Sequence, residues 1–299
     1  MRQQPQRPEC RARSIGERRD STGRMGAQRQ RLGKQLHQQQ METIAMFANP
    51  QHQPIALTVP LAPAAFVALD LETGDAPPEA IAAAIAGWKA PANWKPETVE
   101  AKRREFAEKI IEKAALLDAS PILCVALQTD RIRLVLNGMD DSAPAIDGWP
   151  VVPCVNERGL LVTLRAWLDA STTPETLIVG HNIRAFDLPK LRHAYIRHGL
   201  RLPEILKPRL REENKAETVD TATLFKAFSM EHRDDFCASL DTVAASFGIP
   251  RPKAHMSGAD CPRLYREGQI EIILTYCCVD VATTTRAYQL MSSAALDIE

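Results

Sequence analysis

"AAFVALDLETGD", residues 64–75, joins an apolar run to two acids one residue apart, Asp70 and Glu72, followed by Thr73 and Gly74. Residues 65–71 read as a buried strand, because small and β-favouring side chains follow one another without a charge until position 70. Alternation along a strand turns residues two apart to the same side, so the two carboxylates share a face. Like charges held that close are costly unless a cation neutralises them. An all-oxygen pair suits Mg²⁺ or Mn²⁺ rather than zinc. Taken alone, a bare D-x-E is explained better by an acidic turn, so the metal reading needs further carboxylates.

Outward from this stretch the chain alternates strands and helices. A Pro-punctuated linker, residues 49–63, precedes it. "PPEAIAAAIAGWKA" (77–90) and "KPETVEAKRREFAEKIIEKAALLD" (95–118) read as helices, the second with Phe106, Ile110, Ala114 and Leu117 at helical spacing and a stop at Asp118 and Ser120. "SPILCVALQTD" (120–130) and "RIRLVLNG" (131–138) are two β-rich runs with almost no room between them, which predicts an antiparallel hairpin. A helix near 156–170, a short strand in "ETLIVG" (175–180), a helix over 188–198, a short strand near 216–225 and further helices complete the order. The last helix spans 269–291. This order predicts an α/β fold, a mixed parallel and antiparallel sheet with helices on both faces.

Composition limits the alternatives. With 299 residues and 45% hydrophobic content the chain can bury a sizeable core. Net charge is zero, but ten of the 37 Lys and Arg and only three of the 37 Asp and Glu fall in residues 1–40. The body is therefore mildly acidic and the N-terminus basic. Residues 1–60 read as a disordered, basic, Gln/Arg-rich tail and linker, since few large apolar side chains are there to offset the entropy of ordering. Met41 and Met46 are alternative start positions. The seven cysteines are odd in number and lack metal-ligand spacing, which suits a reducing, cytoplasmic chain with buried thiols. The longest apolar stretch, 55–69, is broken by Pro60 and Pro63, so no membrane span is expected.

Further acids sit at element boundaries. "LIVGHNIRAFDLPKL" (177–191) repeats the opening pattern: an apolar strand, a polar break, then Phe186 and Asp187 before a helix start. A helix cap is the simpler explanation of Asp187. "LTYCCVDVATTT" (274–285) places Tyr276 and Asp280 four apart on one helix face. An acid inside so apolar a helix needs a partner, and a cation is the obvious one.

Together, D-x-E (Asp70, Glu72), N-x-x-x-F-D (Asn182, Phe186, Asp187) and Y-x-x-x-D (Tyr276, Asp280) resemble the three exonuclease motifs of the DEDD superfamily of 3′-to-5′ exonucleases, tyrosine subtype. The chain is similar to predicted exonucleases related to the proofreading domain of family-B DNA polymerases. The resemblance covers roughly residues 65–290 and includes "MSGADCPRLYREGQIEIILTYCCVDVATT" (256–284). Tyr276 decides the subtype, because the histidine branch places His where Thr275 stands. The resemblance implies a ribonuclease-H-like mixed sheet; the element order fits one domain over 61–292 with a tail over 293–299, and no polymerase domain is expected to follow. The resemblance also implies two divalent cations, Mg²⁺ or Mn²⁺, about 4 Å apart. Asp70 would bridge them, Glu72 and Asp280 complete the first site, and Asp187 serve the second. Tyr276 would orient the attacking water, since a phenol with pKa near 10 is a poor base.

For substrate, the resemblance implies single-stranded nucleic acid, DNA ahead of RNA, with Asn182 and Phe186 at the terminal nucleotide and backbone groups of Leu71 and Thr73 at its sugar. Core packing explains Phe186 equally well. Arg184, Lys190, Arg192 and Arg197, with Arg251 and Lys253, could contact phosphates, although a solvated helix face explains the first four as simply. Asp220 is a fifth acid, better read as a helix cap. Cys277 and Cys278 read as structural, and His181, His193 and His198 as surface or local hydrogen-bonding residues. The rival functions are an exoribonuclease with the same site, and a nucleic-acid-binding scaffold that has lost catalysis. A D-x-D-x-[TV] phosphatase is weaker, because the second acid is Glu72 and position 74 is Gly.

Overall fold

The computed structural model describes residues 63–207, 218–234, 237–250 and 256–296. The basic tail expected over residues 1–60 lies outside them. The strands are β1 (Phe66–Thr73), β2 (Ile122–Gln128), β3 (Arg133–Asn137), β4 (Val151–Pro153), β5 (Leu177–Gly180) and β6 (Thr218–Asp220). The helices are α1 (Pro78–Ala86), α2 (Pro96–Glu112), α3 (Glu157–Ser171), α4 (Asp187–Arg197), α5 (Thr221–Phe225), α6 (Leu240–Ser246), α7 (Cys261–Arg266) and α8 (Ile270–Leu296). The strands form one sheet in the order β4-β3-β2-β1-β5-β6. β2 runs antiparallel to both β1 and β3, whereas β1–β5, β5–β6 and β3–β4 are parallel pairs. This is the mixed ribonuclease-H-like α/β sheet that the motifs implied.

β1 is nearly continuous in apolar residues because both faces of the sheet are covered. Val67, Leu69 and Leu71 face a core built with Leu160, Leu161, Leu164 and Trp167 of α3 and Leu188 and Leu191 of α4. Phe66 and Ala68 face the opposite core, with Ile273, Leu274, Cys277, Cys278 and Val281 of α8. Period-2 alternation then sends Asp70 and Glu72 to the α8 side. A smaller cluster of Phe225, Ala238 and Val243 packs around Ala287 and Met291 farther along α8.

The hairpin forms as expected: the Thr129 hydroxyl accepts the N–H groups of Arg131 and Ile132 at 3.1 and 2.9 Å, closing the turn between β2 and β3. Three boundaries differ. Strand β4 was not anticipated, because Pro150 and Pro153 argue against a strand and are tolerated only at a sheet edge. Helix α2 stops at Glu112 and a 3₁₀ turn, Ala114–Leu116, carries the rest of its apolar periodicity. Helix α8 runs to Leu296, past the helix end expected at Met291. Helices α1 and α2 have no fully buried residue; Trp88 joins them, its ring centroid 6.2 Å from Phe106 and 6.3 Å from Trp94. Among the described residues no helix is long and apolar enough to cross a membrane.

Glu157, at the start of α3, ties three elements together. Its carboxylate accepts the Ile122 N–H at 2.9 Å, the Arg197 guanidinium at 2.6 Å and His198 Nε2 at 2.7 Å. Burial works against the charge, but His198, the Ile122 amide and Arg197 outweigh it and hold the pKa below the usual carboxylate value. A folded-state pKa below the unfolded one stabilises above the unfolded pKa and is lost as pH falls through the folded value. Urea denaturation of wild type and Glu157→Gln should therefore show a stability gap at pH 7 that narrows below about pH 4.3. A gap unchanged by pH would refute the ionic account. In the adjoining core, Leu164→Ala should cost about 2–5 kcal/mol with an unchanged denaturant slope.

Candidate active site

Asp70 and Glu72 reach α8 where Tyr276 and Asp280 stand one turn apart. Ligand oxygens of Asp70, Glu72 and Asp280 lie within 4.8 Å of one another. Asp70 is half-buried, and Glu72 and Asp280 are buried. A β-bulge separates Glu72, paired with Cys124, from Thr73, paired with Ile122. Such bulges re-aim side chains at strand ends. Three anionic groups this close and this dry repel one another strongly, and an oxygen-only donor set fits a hard divalent cation. The neighbouring sulfurs do not alter that choice. Burial, followed by neighbouring thiols and acids, pushes the Cys277 thiol well up, and burial with Glu72 does the same for Cys261, so both stay protonated. Burial, then Asp280, Glu72 and Asp70, also raises the Tyr276 phenol far above its ordinary value. Tyr276 is thus a hydrogen-bond donor at neutral pH and no base.

Asp187 arrives by another route. Strand β5 ends at Gly180, and Asn182 turns the chain with φ 56°, its carbonyl accepting the Ala185 and Phe186 N–H groups at 3.1 Å each. Asn tolerates this left-handed conformation better than bulkier residues. Asp220 holds the turn: its carboxylate accepts the N–H groups of Asn182 at 2.9 Å, Arg184 at 3.2 Å and Ala222 at 3.1 Å. Asp220 is therefore the α5 cap expected from the sequence, and it braces the second motif as well. Asp187 does not behave as a cap. Phe186 occupies the cap position without a side-chain bond, and Asp187, 2% exposed, accepts the Leu71 N–H at 3.2 Å through Oδ1. That amide lies beyond Ala68, the last β1 residue paired with β5. Burial first, then the charge of Glu72, raises the Asp187 pKa. Asp187 thus borders the trio through Glu72 without belonging to it.

Several expected substrate contacts are engaged within the fold. Of the backbone groups expected at the sugar, the Leu71 N–H is held by Asp187; the Thr73 hydroxyl, a side-chain group, donates to the Ala115 carbonyl at 2.9 Å. Phe186 is half-buried against the α3 core. The basic cluster makes bonds within the fold: buried Lys190 bonds the Leu117 carbonyl and Ser120 hydroxyl, Arg192 the Leu206 carbonyl at 2.7 Å, Arg197 the Asp118 carbonyl at 2.7 Å and Glu157, and exposed Arg184 the Thr218 carbonyl. Neither phosphate binding nor a solvated face describes Lys190, whose ammonium is lowered to about 8 by burial. Arg251 and Lys253 lie outside the described residues. His181 is a local brace, bonded to the Thr221 hydroxyl at 3.0 Å and the Ala238 carbonyl at 2.9 Å. Sequence reasoning missed two thiols beside the acids. Cys261 donates to Glu72 Oε2 at 3.1 Å, and Cys277 lies 3.4 Å from the Asp70 carbonyl and 3.6 Å from its Oδ2. Only the adjacency of Cys277 to Tyr276 could have signalled either.

Relieving the repulsion by Asp280→Asn should raise the melting temperature of metal-free protein by about 2–4 °C for each kcal/mol gained. Mn²⁺ should raise the melting temperature of wild type by binding the folded state, and the same change should abolish that rise. Differential scanning fluorimetry with EDTA and with Mn²⁺ reads both effects.

Comparison with known proteins bears on what this cluster serves. A search of curated proteins finds no match to the chain. Residues 156–295 match the model of a family described as "Predicted 3'-5' exonuclease related to the exonuclease domain of PolB". The match holds Asn182, Phe186, Asp187, Tyr276 and Asp280 and stops short of Asp70 and Glu72, which the sheet brings to α8. Over residues 156–295, the chain is thus similar to this family of predicted 3′-to-5′ exonucleases.

Proposed function

We propose that the protein is a metal-dependent 3′-to-5′ exonuclease of the tyrosine subtype, hydrolysing phosphodiester bonds at single-stranded DNA ends and releasing nucleoside 5′-monophosphates. The observation that carries this reading is the close set of Asp70, Glu72 and Asp280 beside Tyr276, in a chain whose residues 156–295 match an exonuclease family. Asp70, Glu72 and Asp280, with Asp187 next to Glu72, would hold two divalent cations, Mg²⁺ or Mn²⁺. Cations bound there supply Lewis acidity towards the scissile phosphate and lower the pKa of water. Without them the acidic face repels the phosphate backbone.

The chain's own groups do the rest. The Tyr276 phenol, kept protonated, donates a hydrogen bond that orients the attacking water. The water oxygen bonds to phosphorus and gives up a proton to solvent, the bond from phosphorus to the 3′ oxygen breaks, and the 3′ oxygen takes a proton from solvent and leaves as a hydroxyl. Asn182, held in its turn by Asp220, and the exposed part of Phe186 meet the terminal nucleotide. DNA is proposed because the family is related to a DNA polymerase's exonuclease domain.

The test uses 5′-labelled single-stranded DNA and RNA with Mg²⁺, Mn²⁺ or EDTA. The expected result is a ladder shortening from the 3′ end of DNA, absent with EDTA and reduced about 100-fold or more in Asp280→Ala. Tyr276→Phe should lower kcat with KM little changed. Undiminished activity in Asp280→Ala would sink the mechanism, and faster RNA degradation would reassign the substrate.

A further inference from the structure

The inference concerns Glu72 and rests on the reading of that residue as a metal ligand. Glu72 is the most deeply placed acid of β1, and its Oε2 is covered by one short segment, Ser257–Cys261. Cys261, fully buried at the first position of α7, donates its S–H to Oε2 at 3.1 Å. The same oxygen lies where a side chain at Gly258 would begin: a Cβ built there stands 3.3 Å from it. The segment is rigid. The Ser257 N–H and hydroxyl both donate to Asp260 Oδ2 at 2.9 Å, closing a reciprocal cap around the 3₁₀ turn Gly258–Asp260. Pro262 then fixes the backbone as α7 begins. One braced turn therefore supplies a donor to this carboxylate oxygen and, at Gly258, the room beside it.

We propose that Cys261 is a positioning residue. Its thiol, donating to Oε2 where Gly258 leaves room beside that oxygen, orients the Glu72 carboxylate as a cation ligand towards Asp70 and Asp280. A carboxylate ligand is a rotor with two equivalent oxygens, and an outer hydrogen bond selects which one faces the metal. A neutral thiol suits this role, since it donates weakly and adds no charge to a site that already holds three acids. A lysine or arginine there would neutralise Glu72 and compete with the cation.

The test is Mn²⁺ binding measured by calorimetry on the full chain, with exonuclease activity as a second readout. Cys261→Ala should weaken Mn²⁺ about 10-fold or more and raise the metal concentration needed for half-maximal activity by a similar factor. Cys261→Ser, which keeps a donor, should restore most of the affinity. Gly258→Ala, which leaves the thiol in place and crowds Oε2, should weaken Mn²⁺ in the same direction. Should Cys261→Ala fail to fold, the contrast between Gly258→Ala and wild type decides. Wild-type affinity in both Cys261→Ala and Gly258→Ala, or a lowered melting temperature without a change in Mn²⁺ binding, would overturn the proposal and leave Glu72 as a ligand intact. No Mn²⁺ binding by folded wild type would overturn the metal reading itself.

Discussion

Mutual repulsion among Asp70, Glu72 and Asp280 is the constraint around which this molecule is arranged. Three carboxylates within 4.8 Å, two of them buried, oppose folding, and the cores on either side of β1 must outweigh them. That is why β1 is central, hydrogen-bonded on both edges and packed on both faces. Five of the six positions from Phe66 to Leu71 contribute apolar burial, with Asp70 the interruption. Helix α8 follows the same logic. Ile273, Leu274, Cys277 and Val281 anchor it to the sheet, and Asp280 is carried into the acidic cluster by that anchoring.

Three acids outside the trio are held differently by the fold. Asp220 accepts three backbone N–H groups, so its charge is well solvated by the fold, and what it does is hold the turn at Asn182. Glu157 is likewise saturated by an amide, a guanidinium and an imidazole. Asp187 accepts the Leu71 amide and is pushed towards its protonated form by burial and by Glu72. An acid so placed is poised to respond to added positive charge. The basic residues of α4 offer none, since Lys190, Arg192 and Arg197 are committed to carbonyls and to Glu157.

The thiols add a second layer. Cys261 and Cys277 each lie beside one acid of β1, and burial keeps both protonated. They line the acids with small, weakly polar groups that neither cancel the negative charge nor compete as ligands. Serine would fit the same space but would be a stronger donor, and alanine would leave the carboxylate oxygen without one.

Periodicity and turn chemistry were enough to read β1, the β2–β3 hairpin, α3, β5 and α4 from the chain, because each has a local cause: alternation, a short connection, or a 3.6-residue apolar repeat. Three acid-bearing segments could be recognised for the same reason, as charges interrupting apolar patterns. The edge strand β4 escaped because its pairing comes from β3, against the local preference of Pro150 and Pro153. The fate of the α4 cations escaped because their carbonyl partners lie far away in the chain, at Leu117, Asp118 and Leu206. Sequence alone thus determined which residue types would cluster and on which elements. Only the tertiary structure decided which carboxylates meet, that Asp187 is held by β1 instead of capping its own helix, and that Cys261 reaches Glu72. Such pairings between residues distant in the chain depend on how the sheet and its covering helices pack, and no local pattern encodes them.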